Sequence, residues 1–478
     1  MVGRFLHDSA LYSIANLAAR GLVLIMLPLY TRTLTPSEVG AYEWFTAISM
    51  SLLAVLPLEI TQAVAHLRTQ KLDDETLRRQ VRTAFSFTLL VFGIFAVVVT
   101  VASQMLSGMV LGGRFESWLI ICSAWLLFLN GVLYFLQNEL RWTLQAKQYA
   151  LTSLATAVVT AAAALIFLAM FDLGLLGLYG ALILGVAAGI LLAIRCMPQQ
   201  PGWRIERGHL AAMLAFSAPF AVASLSIILA TTIDRIMIAQ LLNLESLGQY
   251  GVALRIASVA MLAFQGFQLA VLPATVGQRD GARRESSLEQ SFRIFLLIAI
   301  AIAIGLGAVA PEVLSLVATD AYRGSEVYIP VLLIGIVFSA AYPFAPGLWL
   351  RGHTKRMGLI GICIVLVGLS ANFTLIPLAG SMGAALAYAV TGLSYCLVMF
   401  WASDRVLPVG RRYAPLVLAC IAFMAGCIAM AWMLAAQEVL AFRIVLAVVV
   451  TILSACLLTS RDERRNAIGK LGSQWGKF

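Results

Sequence analysis

The sequence predicts an all-α polytopic membrane protein of about fourteen transmembrane helices, with two parallel six-helix repeats around a central cavity and two extra C-terminal helices. Three observations lead there. Of the 478 residues 61% are hydrophobic and only 12% charged, too few charges to cover a water-soluble chain of this length. The apolar residues fall in many separate runs of roughly twenty, the length that crosses ~30 Å of hydrocarbon as a helix. A nine-residue pattern after the first run returns 208 positions later.

Taken in order, the runs place spans at 9–30, 41–65, 83–105, 117–138, 149–171 and 174–195, then at 210–232, 247–272, 291–311, 327–350, 356–377 and 381–402, and finally at 413–436 and 440–460. The first run is too long for a signal-peptide core and lacks a small-residue cleavage pattern, so it counts as a span.

Lysine and arginine orient these spans. With a cytoplasmic N-terminus, 26 of the 33 fall on the cytoplasmic side, among them Arg68, Lys71, Arg78, Arg79 and Arg82 in one loop. Five fall outside (Arg32, Arg114, Arg235, Arg323 and Arg443), and Arg20 and Arg255 lie within spans. Under the positive-inside rule both termini are expected in the cytoplasm, and the net charge of +10 is mostly this bias rather than a nucleic-acid surface. The basic tail, 461–478, is solvated topology charge that can also touch anionic lipid.

The repeated pattern is LTPSEVGAY, Leu34 to Tyr42, and LNLESLGQY, Leu242 to Tyr250. Pro36 and Gly40 read as turn chemistry between spans, with Gly40 and Gly248 expected in equivalent turns. Leu140, Lys147 and Leu151 return as Leu348, Lys355 and Leu359 at the same displacement, and Gly174 and Gly177 as Gly380 and Gly383 at 206. Six spans separate the copies, an even number, so both enter the membrane in one orientation and can flank a cavity. The expected division is 1–200 and 205–405 as the two bundles, 410–460 as two additional helices, and 461–478 as the tail.

Polar residues inside spans are the candidate site. Arg20 shares a helical face with Ser13 and Asn16, and Arg255 shares an arc with Ser258, Gln265 and Gln268. A mid-span arginine costs roughly 2.5–3.5 kcal/mol on insertion scales, so both should face protein or water. A structural ion pair is the competing reading. Glu59, on one face with Gln62 and His66, and Asp234, next to Arg235, are candidate ion-coupling carboxylates; Asp234 and Arg235 can equally pair with each other, and Glu43 reads as an interfacial carboxylate. The uncharged stripes Asn130, Tyr134 and Gln137, Thr152, Thr156 and Thr160, and Tyr388, Thr391 and Tyr395 either glue helices or line a path for a sugar.

No Walker loop, zincin motif, acidic metal cluster or nucleophile elbow occurs, and the longest outer loop, near 311–326, leaves no room for a catalytic domain. The seven cysteines show no CxxC or metal spacing. Neither enzymatic activity, cofactor, metal nor nucleic acid is expected.

The opening HDSALYSIANLAARGLVLIMLPLYTRTLTPSEVGAY resembles the start of bacterial polysaccharide exporters of the Wzx type, in the multidrug/oligosaccharidyl-lipid/polysaccharide (MOP) superfamily. APFAVASLSIILATTIDRIMIAQLLNLESLGQY and NFTLIPLAGSMGAALAYAV resemble them too, so the likeness runs along essentially the whole chain. It implies a flippase of the bacterial inner membrane that carries an undecaprenyl-diphosphate-linked oligosaccharide, an O-antigen or exopolysaccharide repeat unit, from the cytoplasmic to the periplasmic leaflet by alternating access. Membrane lipids are the surroundings, and a polysaccharide polymerase and glycosyltransferases are implied partners. Members carry cationic cavity residues on the first helices of each bundle, which by position suits Arg20 and Arg255, with Asn16, Gln265 and Glu59 as further lining. The alternatives are a peptidoglycan-precursor flippase, a cation-coupled drug exporter of the same superfamily, or, from another class, a membrane polymerase or ligase. Arg20 in place of a carboxylate speaks against the drug exporter, and the missing outer loop against the polymerase.

Overall fold

The computed structural model describes residues 21, 26–68, 73–109, 116–197, 202–276, 281–409 and 413–459. The described segments are helical almost throughout. In chain order the helices are α1 (Leu27–Thr33), α2 (Pro36–Val55), α3 (Ile60–Leu67), α4 (Asp74–Val101), α5 (Ser103–Met109), α6 (Ser117–Trp142), α7 (Ala146–Ala164) and α8 (Gly174–Cys196). There follow α9 (Arg207–Leu241), α10 (Leu244–Val276), α11 (Gly281–Ala308), α12 (Ala310–Val317), α13 (Tyr328–Ser339), α14 (Gly347–Leu350), α15 (Thr354–Val406), α16 (Tyr413–Ala435) and α17 (Leu440–Leu458).

Eleven of the described helical segments are long and apolar enough to cross a membrane, and α2 with α3, bent by 43° at their break, make a twelfth. One of the eleven, Lys355–Val406, has 52 residues, far more than one crossing needs. It is two helices joined at Ala379 and Gly380, which are not helical (Gly380 φ +58°), and it holds the expected spans 356–377 and 381–402. Gly174, the repeat partner of Gly380, is also left-handed (φ +53°). Left-handed φ is nearly free for glycine and costly for other residues, which explains a glycine at each hairpin. The expected first span, 9–30, lies mostly outside the described residues.

Two expectations about local structure are corrected. Gly40 and Gly248 are not in turns; each is the fifth residue of a helix, α2 and α10. The sequence TPSE is a helix start: the Thr35 amide donates to Glu38 Oε2 (2.8 Å), the Glu38 amide donates to Thr35 Oγ1 (3.3 Å), and Pro36 holds the first helical position. Asn243 does the same for α10, accepting the Ser246 amide at 2.7 Å. The second span is also not continuous. Pro57 sits in a break at which Leu58 (φ +49°) and Glu59 (φ +52°) are both left-handed. Such non-glycine residues cost about 1–3 kcal/mol each and persist only where packing over-determines them.

The chain packs as two compact units, Met1–Gly251 with Val317–Ala321, and Val252–Leu316 with Tyr322–Phe478. The first unit therefore contains α9, which packs on α2 and α3. Its core gathers Ile60, Val64, Phe85, Phe135, Leu136 and Leu140. Thr156 and Thr160 of α7 seat against Gly189 and Gly185 of α8, so there the threonine stripe serves helix packing. The second unit is centred on Phe264, Phe292, Phe295, Phe344 and Phe400, with neighbouring ring centroids 4.9–5.6 Å apart. The helix α17 is fastened to it by Arg443, whose guanidinium donates to Glu312 Oε1 (2.7 Å), Glu312 Oε2 (3.2 Å) and the Ala308 carbonyl (2.9 Å).

Candidate functional site

In the first unit the two copies of the repeated pattern touch. A Cβ built on Gly40 would overlap the Leu244 carbonyl oxygen, and one on Gly248 the Pro36 carbonyl oxygen; each would also come within 3.1 Å of the other glycine's amide nitrogen. Backbone packs on backbone, which no other residue type permits.

One turn further along lies a buried charged cluster. Glu43 on α2 is 3% exposed and its Oε2 stands 3.7 Å from Arg235 NH1 on α9. Asp234, 2% exposed, accepts the Arg235 backbone amide at 2.9 Å and the Tyr250 hydroxyl. Gly251 lies flat against the Glu43 side chain, where a Cβ would come within 2.7 Å of Cγ. Thus the Arg235 guanidinium reaches across to Glu43, whose carboxylate is enclosed by protein. Burial of two carboxylates is tolerable because each is hydrogen-bonded or charge-paired.

Glu59, 6% exposed, lies at the break between α2 and α3; its carboxylate accepts a 3.5 Å hydrogen bond from Thr61 and none from the α3 amides. The same unit holds a half-open cavity of about 290 Å³ between α2, α6 and α8, lined by Tyr42, Ser49, Met50, Asn130 and Tyr179 among others. The Ser123 hydroxyl donates to the Tyr179 hydroxyl at its edge (2.9 Å), and Tyr42 stands edge-on to Tyr179 with centroids 6.4 Å apart. Of the first polar stripe, Asn130 lines this cavity, while Gln137 donates to Ser153 Oγ at 3.3 Å.

In the second unit Arg255 is half-buried on α10 and engaged with a partner; its carbonyl accepts the Ser258 hydroxyl at 2.7 Å. Gln265 is half-buried on the same helix, and Gln268 donates to the Ala340 carbonyl at 2.8 Å, a helix-to-helix tie. Tyr388 packs against Gly335, and Tyr395 stands 6.2 Å from Tyr342, ring to ring. Arg20 and Asn16 lie outside the described residues. Sequence reasoning missed Tyr250 and the Gly40–Gly248 contact, although all three sit in the repeated pattern itself.

Apolar spans with carboxylates and guanidinium groups buried among them define a multi-span membrane protein. Solved structures similar to the chain are multi-span membrane proteins too. The lipid II flippase MurJ in an inward closed conformation superposes with a TM-score of 0.70 at 13% identity, covering 93% of this chain and 98% of that one. An inward-facing multidrug resistance MATE family transporter of the MOP superfamily gives 0.64 at 15% identity, covering 84% and 100%. A MATE structure in the straight conformation gives 0.56 at 16% identity, covering 84% and 95%. At these identities the likeness is one of fold. No curated protein sequence matches. Residues 29–326, more than half of the chain, match the family model for polysaccharide biosynthesis proteins, and the chain belongs to that family.

Proposed function

We propose that this protein flips a lipid-diphosphate-linked oligosaccharide, an undecaprenyl-linked repeat unit of a surface polysaccharide, across the bacterial inner membrane. One observation carries the reading: a polysaccharide-biosynthesis sequence folded like a flippase of a lipid-linked precursor. Such a cargo pairs a long apolar tail with a diphosphate and a sugar, so the protein must offer cationic groups at membrane depth. Guanidinium suits a diphosphate better than ammonium because its planar fork donates two parallel hydrogen bonds. Arg255 and Arg20 are the proposed diphosphate contacts, with Asn16 and Gln265 as polar lining. The sequence halves 1–200 and 205–405 are proposed as the two bundles that rock in alternating access, with both termini cytoplasmic.

Complementation of a flippase-null strain tests this, with protein abundance checked by immunoblot. Arg255→Gln is expected to cut surface polysaccharide at normal abundance, Arg255→Lys to restore it in part, and Arg255→Glu to be worse than glutamine. Normal export by Arg20→Gln and Arg255→Gln together would make both arginines structural. Drug resistance conferred by the wild-type chain without any polysaccharide export would favour the exporter reading instead.

A further inference from the structure

The seam between α3 and α9 carries an aromatic ladder at its rim. Phe216 of α9 lies face to face with the His66 imidazole of α3, centroids 4.4 Å apart and planes 9° from parallel. Phe220 continues the stack one turn further along α9, 5.5 Å from Phe216. The floor of the seam is apolar core, where Met213 clusters with Ile60 and Val64. The ladder is not part of that floor: Phe216 is 38% exposed, Phe220 45%, and His66 is exposed as well. Gln62, half-buried, stands one turn before His66 on the same face of α3. An amide and an imidazole are costly against hydrocarbon, so the rim that carries them fronts a wet space.

The chemistry of this rim selects its ligand. No lysine, arginine, aspartate or glutamate occurs between 60 and 67 or between 210 and 233, so the rim offers an anion no fixed counter-charge. A lipid tail needs apolar surface alone and gains nothing from Gln62 and His66. A sugar ring has both characters, a face of slightly positive C–H groups and an edge of hydroxyls. The electron-rich faces of phenylalanine rings attract the first, while an amide and an imidazole can each donate to and accept from the second. We propose that Phe216 and Phe220, with Gln62 and His66 beside them, bind one uncharged sugar ring by stacking and hydrogen bonding. As a holding point for cargo the site rests on the export reading; binding of a sugar ring does not. The rim selects for neutral sugars, because the carboxylate of a uronic acid brought here loses water and gains no fixed cation.

The test is saturation-transfer NMR on the full-length protein in nanodiscs. The probes are the methyl glycosides of glucose, galactose, mannose and N-acetylglucosamine, with methyl glucuronoside as the acidic comparison. At least one neutral glycoside should receive saturation at its ring C–H protons from the wild type, and the glucuronoside several-fold less. Phe216→Ala and Phe220→Ala should each cut the transfer several-fold. Phe220→Trp should keep it, because an aromatic face remains, and Gln62→Leu should weaken it at an unchanged Tm. No transfer to any neutral glycoside, equal transfer to the glucuronoside, or unchanged transfer in both alanine variants overturns the proposal. Where the alanine variants fail to fold, Phe220→Trp is compared with Phe220→Leu, since both fill the space and only the first can stack; equal transfer to the two also overturns it. Glycoside binding as expected, with no polysaccharide export by the wild-type chain in the flippase-null strain, contradicts the export reading and leaves this site standing.

Discussion

Gly40 and Gly248 meet backbone to backbone in the first unit, 208 positions apart in the chain and at the same place in two copies of one pattern. Neither needs a left-handed φ. What each supplies is the absence of a Cβ, and the crossing of α2 with the start of α10 depends on both. Gly40→Val and Gly248→Val are therefore expected to force the helices apart, at about 1–3 kcal/mol of overpacking for each. A fall in Tm and in yield measures it. Gly305→Ala, where a new Cβ meets nothing within 4 Å, is the control and should be neutral or slightly stabilising.

Tyr250 gives Asp234 its side-chain donor inside the first unit. Tyr250→Phe leaves a buried carboxylate one hydrogen bond short and should cost about 1–3 kcal/mol, read as a drop in Tm. An unchanged Tm would mean that water replaces the hydroxyl.

Arg443 and Glu312 form an unequal pair, since the arginine side chain is 7% exposed and the glutamate 43%. Glu312→Ala strands a buried guanidinium, although Ala308 still accepts from it. Arg443→Met leaves only a partly solvated carboxylate and keeps the apolar packing. The expected order of destabilisation is Glu312→Ala above Arg443→Met, because an unpaired charge costs more where it is buried. Tm values of the two variants decide it, and the reverse order would contradict the clasp.

Asp73 caps α4 outside the membrane, accepting the Thr76 amide at 2.9 Å. That backbone hydrogen bond, with help from the Thr76 side chain, holds its carboxyl below the ordinary value. A depressed folded pKa gives stability that is full above the unfolded value and lost as pH falls through the folded one. Asp73→Asn, an equally good cap, should match wild type at neutral pH and lose part of the acid-side decline. Thermal unfolding between pH 3 and pH 7 checks it.

Much of this fold was legible in the sequence because a membrane span announces itself by length and polarity. The predicted spans 117–138, 174–195 and 413–436 fall within a few residues of α6, α8 and α16. Pro57 inside the expected second span permits a bend, yet hydropathy is blind to φ, so the left-handed Leu58 and Glu59 could not be read. The repeated pattern was visible, but its meaning was misassigned: Pro36 opens a helix as readily as a turn, and the capping pair Thr35 and Glu38 should have decided between them. Glu43 and Arg235 lie 192 positions apart, and only packing of α9 on α2 brings them together. Spacing arguments work within one helix and fail between helices.

Reconstituted flipping tests the central claim most directly. Proteoliposomes holding the purified protein and a fluorescent undecaprenyl-diphosphate oligosaccharide are treated with a membrane-impermeant reagent that consumes only the outward-facing sugar. The protein should expose the inner-leaflet pool well above empty liposomes, with Arg255→Gln strongly slowed and an undecaprenyl-monophosphate sugar moved poorly. Protection of the inner-leaflet pool equal to that in empty liposomes, with the protein folded and the cargo matched to its own polysaccharide, would contradict the account.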